Sequence, residues 1–358
     1  MRKLMFLALA PVAALAAPPA RNVILFIGDA GGIPTLNAAA LYGHDRPQSL
    51  FIQQMPYFAL SDTSCLDQWV TDSAAGMTAI VTGRKTNAQM VSVLPREEGS
   101  LSPQPLKTIL EHAEDRGLST GVITNMPVWD ATPAACYAHT SSRKNIWEIF
   151  SQLLHPRYGD GVDIVIGADW KGLAAEATKN GLDAAGMLRA AKYTLYEKPG
   201  DIPADATRAA AIQDLGDFDP RPVLANVIPL LDRNPKGFFL MLEWDMHTED
   251  LEKGLRRALV MDDLVRLAAA IAPPDTLIIY AADHSYDLRL VGGTTTKPVR
   301  QQPLLIQPWP VFQVDRRHSG EEVLVAAQGP GAENLHGFIP NTAIFHVMMD
   351  AYGWSAPP

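Results

Sequence analysis

The chain is poor in several residue types and patterns. It has 2 cysteines in 358 residues, so no dense disulfide framework organises it, and a chain this long does not require one. Whether Cys65 and Cys136 pair or stay as free thiols is open at this level. Basic residues are outnumbered, with 30 Lys and Arg against 39 Asp and Glu, a net charge of -9 and a pI near 5.5. There is no run of Lys and Arg, which argues against a nucleic-acid partner, because phosphate backbones are held by basic patches. Internal repeats and low-complexity linkers are also missing, and so is a second apolar run of 18 residues, which leaves no expected stable membrane anchor.

What is present begins at the N-terminus. Arg2 and Lys3 precede a stretch from Leu4 to Leu15 that is apolar throughout, broken by Pro11, and Ala14-Leu15-Ala16 supplies small residues for cleavage. Residues 1–17 therefore read as a signal peptide, and residues 18–358 as the mature domain, expected in the periplasm or secreted.

The rest alternates between two patterns. Val23 to Ile27, Val122-Ile123, Ile164 to Ile166, Phe238 to Leu242 and Leu277 to Tyr280 are continuous apolar runs of the kind found in parallel strands buried on both faces. Between them Leu106, Ile109, Leu110 and Ala113 recur at helical spacing, as do Ile146, Ile149, Phe150 and Leu154. Leu251, Leu255, Val260, Leu264 and Leu267 predict a longer helix. The alternation predicts an α/β fold, a three-layer sandwich with a mainly parallel central sheet flanked by helices. The Ala-rich stretch around 169–232 breaks the rhythm and reads as a helical insertion.

In open sheets of this kind ligands bind beyond the carboxyl ends of the strands. The first predicted strand ends in Gly28-Asp29, the fourth in Glu243, and the fifth runs into Asp283-His284, while Asp130 and Thr132 follow the second. A lone Asp at a strand end is usually a cap; several on one edge, two of them an Asp-His pair, suit metal ions, Zn²⁺ beside Mg²⁺. In Thr71-Asp72-Ser73-Ala74-Ala75-Gly76-Met77-Thr78, Ser73 falls near a helix N-terminus, where free N–H groups favour an anion. A simple N-cap role for Asp72 or Ser73 is the commoner use of such residues. Arg143 carries a guanidinium able to hold two phosphate oxygens, although a surface or helix-end role is the commoner one for a single arginine.

Taken together, these segments resemble the alkaline phosphatase family over most of the mature chain. Asn22 to Asp29 resembles the family's first strand and metal-bridging Asp, Thr71 to Thr78 its nucleophile motif, and Asp130 to Ala134 with His139 and Arg143 its next block. Gly237 to Glu243 resembles the strand bearing the magnesium-site Glu, Ala282-Asp283-His284 the second-zinc pair, and His318-Ser319-Gly320 the late zinc imidazole. The resemblance implies phosphate monoester hydrolysis by double displacement through a phosphoserine on Ser73, with Arg143 gripping phosphate. It implies two Zn²⁺ and one Mg²⁺: Asp29, Asp283 and His284 on one zinc, His318 on the other, and Asp29, Asp130, Thr132 and Glu243 around Mg²⁺. A homodimer is left open.

One block departs from the family. Its first-zinc Asp and His stand four residues apart, whereas here Glu243 is followed closely by Asp245 and His247, two apart. A spacing of two suits an extended segment. Asp245 and His247 are the expected pair, with Glu249 or Asp250 as substitutes for Asp245. The rival functions are a phosphodiesterase of the same superfamily and a non-catalytic phosphate- or metal-binding envelope protein with a decayed zinc site. A sulfatase is disfavoured, because no Cys-x-Pro-x-Arg type of motif is present.

Overall fold

The segment Asn22–Asp29 is apolar from Val23 to Ile27, and all its residues are buried. Val23, Leu25 and Ile27 enter one core layer, and Ile24 and Phe26 enter the other. That division follows from the two-residue period of a strand, and it makes this segment the middle of a sandwich. The computed structural model describes residues 18–96, 102–216, 218–294 and 310–355, so the expected signal peptide lies outside the described residues.

In chain order the strands are β1 (Asn22–Asp29), β2 (Tyr57–Ser61), β3 (Val93–Leu94), β4 (Gln104–Pro105), β5 (Ser119–Pro127), β6 (Ile164–Ala168), β7 (Thr194–Leu195), β8 (Ala209–Ile212), β9 (Phe238–Asp245), β10 (Thr276–Ala281), β11 (Ser285–Gly292), β12 (Val311–Ser319), β13 (Val323–Gln328) and β14 (Phe338–Ile339). Ten of them form one sheet in the order β14-β2-β13-β10-β1-β9-β5-β6-β8-β7. From β10 to β7 all neighbours pair parallel, and β13 runs antiparallel to both β10 and β2. The helices Ser73–Thr82, Ile109–Asp115, Ala131–Tyr137, Ile146–Leu154 and Ala343–Ala351 pack into one layer. Ile33–His44, Pro220–Asp232 and Leu251–Ile271 cover the other face. The expected three-layer α/β architecture is the observed one.

The stretch around 169–232 differs from expectation. It does hold the helices Trp170–Lys179, Ala184–Ala190 and Pro220–Asp232, but it also supplies β7 and β8, which extend the main sheet at one edge. The β8 sequence Ala209-Ala210-Ala211-Ile212 has strong helix propensity, and parallel pairing with β6 overrides it. No helix among the described residues is long and apolar enough to cross a membrane. Cys65 and Cys136 are both buried and unpaired.

Candidate active site

Register decides which polar residues meet. Parallel pairing of β1 with β9 sets Ile27 beside Glu243 and Asp29 beside Asp245. Beyond β10 the chain turns through Asp283 and His284 into β11, and the β11–β12 hairpin pairs Ser285 with Ser319 and Tyr286 with His318. That hairpin returns His318 to His284, their rings stacked with centroids 3.7 Å apart. After Asp29 the backbone turns through Ala30, which sits in the left-handed region at φ 62° and donates its N–H to Asp283 Oδ1 at 3.3 Å. A non-glycine residue holds that conformation only where its surroundings fix it, as they do at this edge.

Ser73 begins the helix Ser73–Thr82, and Asp72 is its N-cap, accepting from the Ala75 N–H at 3.3 Å. The capping duty therefore falls on Asp72 and leaves the Ser73 hydroxyl free. Its Oγ lies 3.1 Å from His284 Nε2. Gly76 lets this helix close on the site, since a Cβ there would stand 2.5 Å from the Asp283 carbonyl oxygen.

Three imidazoles share one arrangement. His318 Nδ1 faces the Thr71 carbonyl at 3.0 Å, His284 Nδ1 the Ser285 carbonyl at 3.1 Å, and His247 Nδ1 the Asp245 carboxylate at 2.8 Å. A ring nitrogen held against an oxygen acceptor carries the proton in the neutral ring, so each neutral imidazole presents its lone pair at Nε2. Second-partner bonds of this kind orient metal-binding histidines. His247, His284 and His318 have ring nitrogens mutually within 4.8 Å; Asp29, Asp283 and His284 form a second such group, and Asp29, Asp245 and His247 a third.

The carboxylates are crowded and dry. Asp29 Oδ1, Asp283 Oδ2 and Glu243 Oε1 are buried without hydrogen-bond partners. Glu243 Oε2 accepts from Thr124 Oγ1 at 2.5 Å. Burial, reinforced by the charges of Asp29 and Asp130, pushes Glu243 well above the usual carboxylate range. Burial, with Asp29 beside it, raises Asp283 to about 6. Burial also works against Asp29 ionising, yet His247 and His284 outweigh it and hold that carboxyl well below its ordinary value. The same attraction overcomes burial at His247 and lifts it to about 10, while burial and the neighbouring His284 push His318 down to about 4. Orphaned carboxylate oxygens facing imidazole lone pairs are the donor set for divalent cations, so these residues fit the zinc-type ions the resemblance implies.

Arg143 bridges Asp130 Oδ1, at 2.6 Å from Nη2, and Asp72 Oδ2, at 3.2 Å from Nη1. Despite its burial, those two carboxylates raise its pKa. Asp130 caps the helix Ala131–Tyr137, and Thr132 is buried in that helix's first turn. Among the described residues, the groups of His, Cys, Asp and Glu close enough to share an ion include neither Asp130 nor Glu243, although Asp130 is near enough to raise the Glu243 pKa. A hollow of about 500 Å³ lined by Gln89, Met126, Trp129, Asp130, Arg143 and Lys144 opens beside the guanidinium. His139, part of the motif containing Asp130, turns away to the Leu106 carbonyl at 2.8 Å, and Trp244 is a core residue set edge-on to Phe218.

Four neighbours of the site escaped the sequence reading. Thr124 and Asn125 lie on β5 past its apolar run, and two polar residues at a strand's carboxyl end were a readable signal. Gln89 clamps Asp72 through its backbone N–H at 3.0 Å and Nε2 at 2.8 Å. Arg257 forms an ion pair with Asp245. Nothing local to Gln89 or Arg257 marked them.

Comparison with known proteins agrees with this geometry. The alkaline phosphatase family model matches residues 20–155 and 195–307. The alkaline phosphatase of Escherichia coli is 28% identical over an alignment covering 94% of this chain and 86% of that one, and that of Escherichia fergusonii is 27% identical with the same coverage. Among solved structures, the alkaline phosphatase of the Antarctic bacterium TAB5 superposes with a TM-score of 0.78 at 22% identity, covering 94% of this chain and 99% of that one. A phosphatase-type hydrolase edge on this sheet, matched by a family model over most of the chain, has one reading: the protein belongs to the alkaline phosphatase family.

Proposed function

We propose that the protein hydrolyses phosphate monoesters by double displacement, with Ser73 as nucleophile, at an edge that holds two zinc ions and one magnesium ion. The observation that carries this reading is the placement of Ser73 Oγ 3.1 Å from His284 Nε2, with orphaned oxygens of Asp29 and Asp283 beside them. When bound, the ions lower the pKa of a coordinated hydroxyl and neutralise charge on the attacking and leaving oxygens.

The ligand assignments follow the resemblance. Asp29, Asp283 and His284 would hold the ion next to Ser73, and His247 and His318 the ion on the leaving-group side, to whose ligands the resemblance adds Asp245. Glu243, Asp29, Asp130 and Thr132 would serve Mg²⁺; a variant of the TAB5 enzyme has Mg bound in the site called M3. The first-turn N–H groups of the helix Ser73–Thr82 and the Arg143 guanidinium would serve the phosphate as anion donors. Asp72 and Asp130 fix the plane of that guanidinium, which favours a dianionic monoester over a diester. Ser73 Oγ bonds to phosphorus as the bond to the alcohol oxygen breaks, and the phosphoserine is then cleaved by water to return the hydroxyl. An exported, periplasmic or secreted enzyme, operating alone or as a homodimer, fits this reading.

The test is turnover of 4-nitrophenyl phosphate, its diester and its sulfate ester, by the purified chain in Zn²⁺ and Mg²⁺. Ser73→Ala should lower monoester turnover on the order of 10³-fold or more and abolish phosphoenzyme, with the fold intact by circular dichroism. Phosphoenzyme formation by the variant, or faster turnover of the diester than the monoester by the wild type, sinks the reading.

A further inference from the structure

Asp245 differs from the other carboxylates of the site. Its Oδ2 is taken by Arg257 Nη1, from the helix Leu251–Ile271. Its Oδ1 accepts from the His247 backbone N–H at 3.0 Å and stands 2.8 Å from His247 Nδ1. Its own N–H donates to Asn125 Oδ1 at 2.8 Å. Asp29, Asp283 and Glu243 each keep a buried oxygen with no hydrogen-bond partner; Asp245 keeps none. Asp245 lies within 4.8 Å of the ligand atoms of Asp29 and His247, so distance alone does not separate a ligand from a neighbour. The engagement of its oxygens does.

The two-residue spacing gives the reason. An Asp whose carboxylate accepts from the backbone N–H two residues on closes a local Asx-type turn, which commits that oxygen to the chain itself. An Asp and His four apart on a helix have no such bond and can both face an ion. Here the same oxygen also stands against His247 Nδ1, so Nε2 is the ring nitrogen left for an ion, and the His247 ring centroid lies 5.7 Å from that of His284 and 5.6 Å from that of His318. His284 and His318 are oriented by backbone carbonyls; His247 alone of the three is oriented by a charged carboxylate. A guanidinium that never loses its proton then pins the carboxylate from behind, its fork suited to hold a plane where an ammonium would only supply charge.

We propose that Asp245 is a positioning residue rather than a metal ligand: Arg257 clamps its carboxylate, and the carboxylate aims His247 Nε2 at the ion shared with His318. This rests on the metallophosphatase reading above. It follows that this ion has imidazoles as its protein ligands, without a carboxylate of its own, and that Arg257 governs how tightly the ion is held while standing outside its coordination shell.

The experiment uses the full chain loaded with Zn²⁺ or Co²⁺, as wild type and as Asp245→Asn, Arg257→Met, Arg257→Lys and His247→Ala. Metal content by mass spectrometry, zinc affinity by chelator competition and the visible spectrum of the Co²⁺ form are the readouts. Asp245→Asn and Arg257→Met should keep the wild-type metal count and Co²⁺ band positions, while zinc affinity at one site weakens about 10–100-fold, the range expected of outer partners of a ligand. Arg257→Lys should restore part of that affinity, which a merely structural contact would not do, and His247→Ala should lose one ion. Loss of a full ion, or a shifted Co²⁺ band, in Asp245→Asn makes Asp245 a ligand and overturns the proposal. So does unchanged zinc affinity in folded Arg257→Met. A wild-type chain that binds fewer than two zinc ions fails at an earlier point and overturns the metallophosphatase reading itself.

Discussion

At the amino ends of the central strands, Asn22 Nδ2 reaches Thr276 Oγ1 at 3.2 Å and its Oδ1 accepts from the Phe238 N–H at 3.1 Å. Glu114 accepts from Thr120 Oγ1 at 2.5 Å and from the Gly161 N–H at 3.0 Å, and Asp163 accepts from the Thr120 N–H at 2.9 Å. At the carboxyl ends, Asp29, Glu243 and Asp283 are buried, yet each leaves one oxygen without a hydrogen-bond partner. Both ends therefore hold carboxylates: buried Glu114, on the helix Ile109–Asp115, and half-buried Asp163, just before β6, at one, and Asp29, Glu243 and Asp283 at the other. One end closes its hydrogen bonds within the protein and serves the fold; the other leaves them open, the donor set that the proposed cations would complete. A buried unsatisfied carboxylate is costly, so it persists where something outside the chain completes it.

The largest separation between the two ends should come from Asp29→Asn. Removing the charge shared by two of the candidate metal groups should cut monoester turnover on the order of 10³-fold and lower bound metal, as read by steady-state kinetics and metal analysis. Near-wild-type values for both would erase the distinction. Next, chelation should destabilise the wild-type protein, since ions that bind only the folded state add about 2.7 kcal/mol at a concentration a hundredfold above Kd. Thermal melts with and without chelator give that difference, and it should shrink in Asp29→Asn.

At the closed end, Asn22→Ala should cost about 1–3 kcal/mol of stability by denaturant titration, through lost buried hydrogen bonds, with metal content and turnover per folded molecule unchanged. The smallest effect is pH-dependent. Burial, aided by Asp163 and opposed by the Thr120 hydroxyl, raises Glu114 to about 7, and burial raises Asp163 to about 6. Both titrate higher in the fold than in the unfolded chain, so their contribution is complete below about pH 4 and is lost as pH rises through those values. Glu114→Gln should flatten that loss by on the order of 1 kcal/mol between about pH 4 and pH 7, measured as unfolding free energy against pH. An identical slope in variant and wild type would show that Glu114 ionises freely.

Much of this edge was legible in the linear chain. Apolar runs such as Val23 to Ile27 end in Gly28-Asp29, and the rule that strand ends deliver ligands carries Asp29, Glu243, Asp283 and His284 to one side without further information. The Ala-rich Ala209–Ile212 was not legible, because its propensity favours helix and only pairing with β6 makes it a strand. Asp245 was visible as a candidate, but the guanidinium that occupies it comes from Arg257, twelve positions on and across a helix, and no local pattern signals such a contact.

By itself the sequence determined the α/β layering, the edge at which chemistry collects and the residue types gathered there, because hydrophobic period and strand-end position are local properties of the chain. Tertiary structure decided the rest. The β1–β9 register set Asp29 beside Asp245, the β11–β12 hairpin brought His318 back onto His284, and the helix Leu251–Ile271 placed Arg257 against a carboxylate. Which oxygens are satisfied and which are left for a metal depends on contacts between segments far apart in the chain, and those exist only once the sheet has formed.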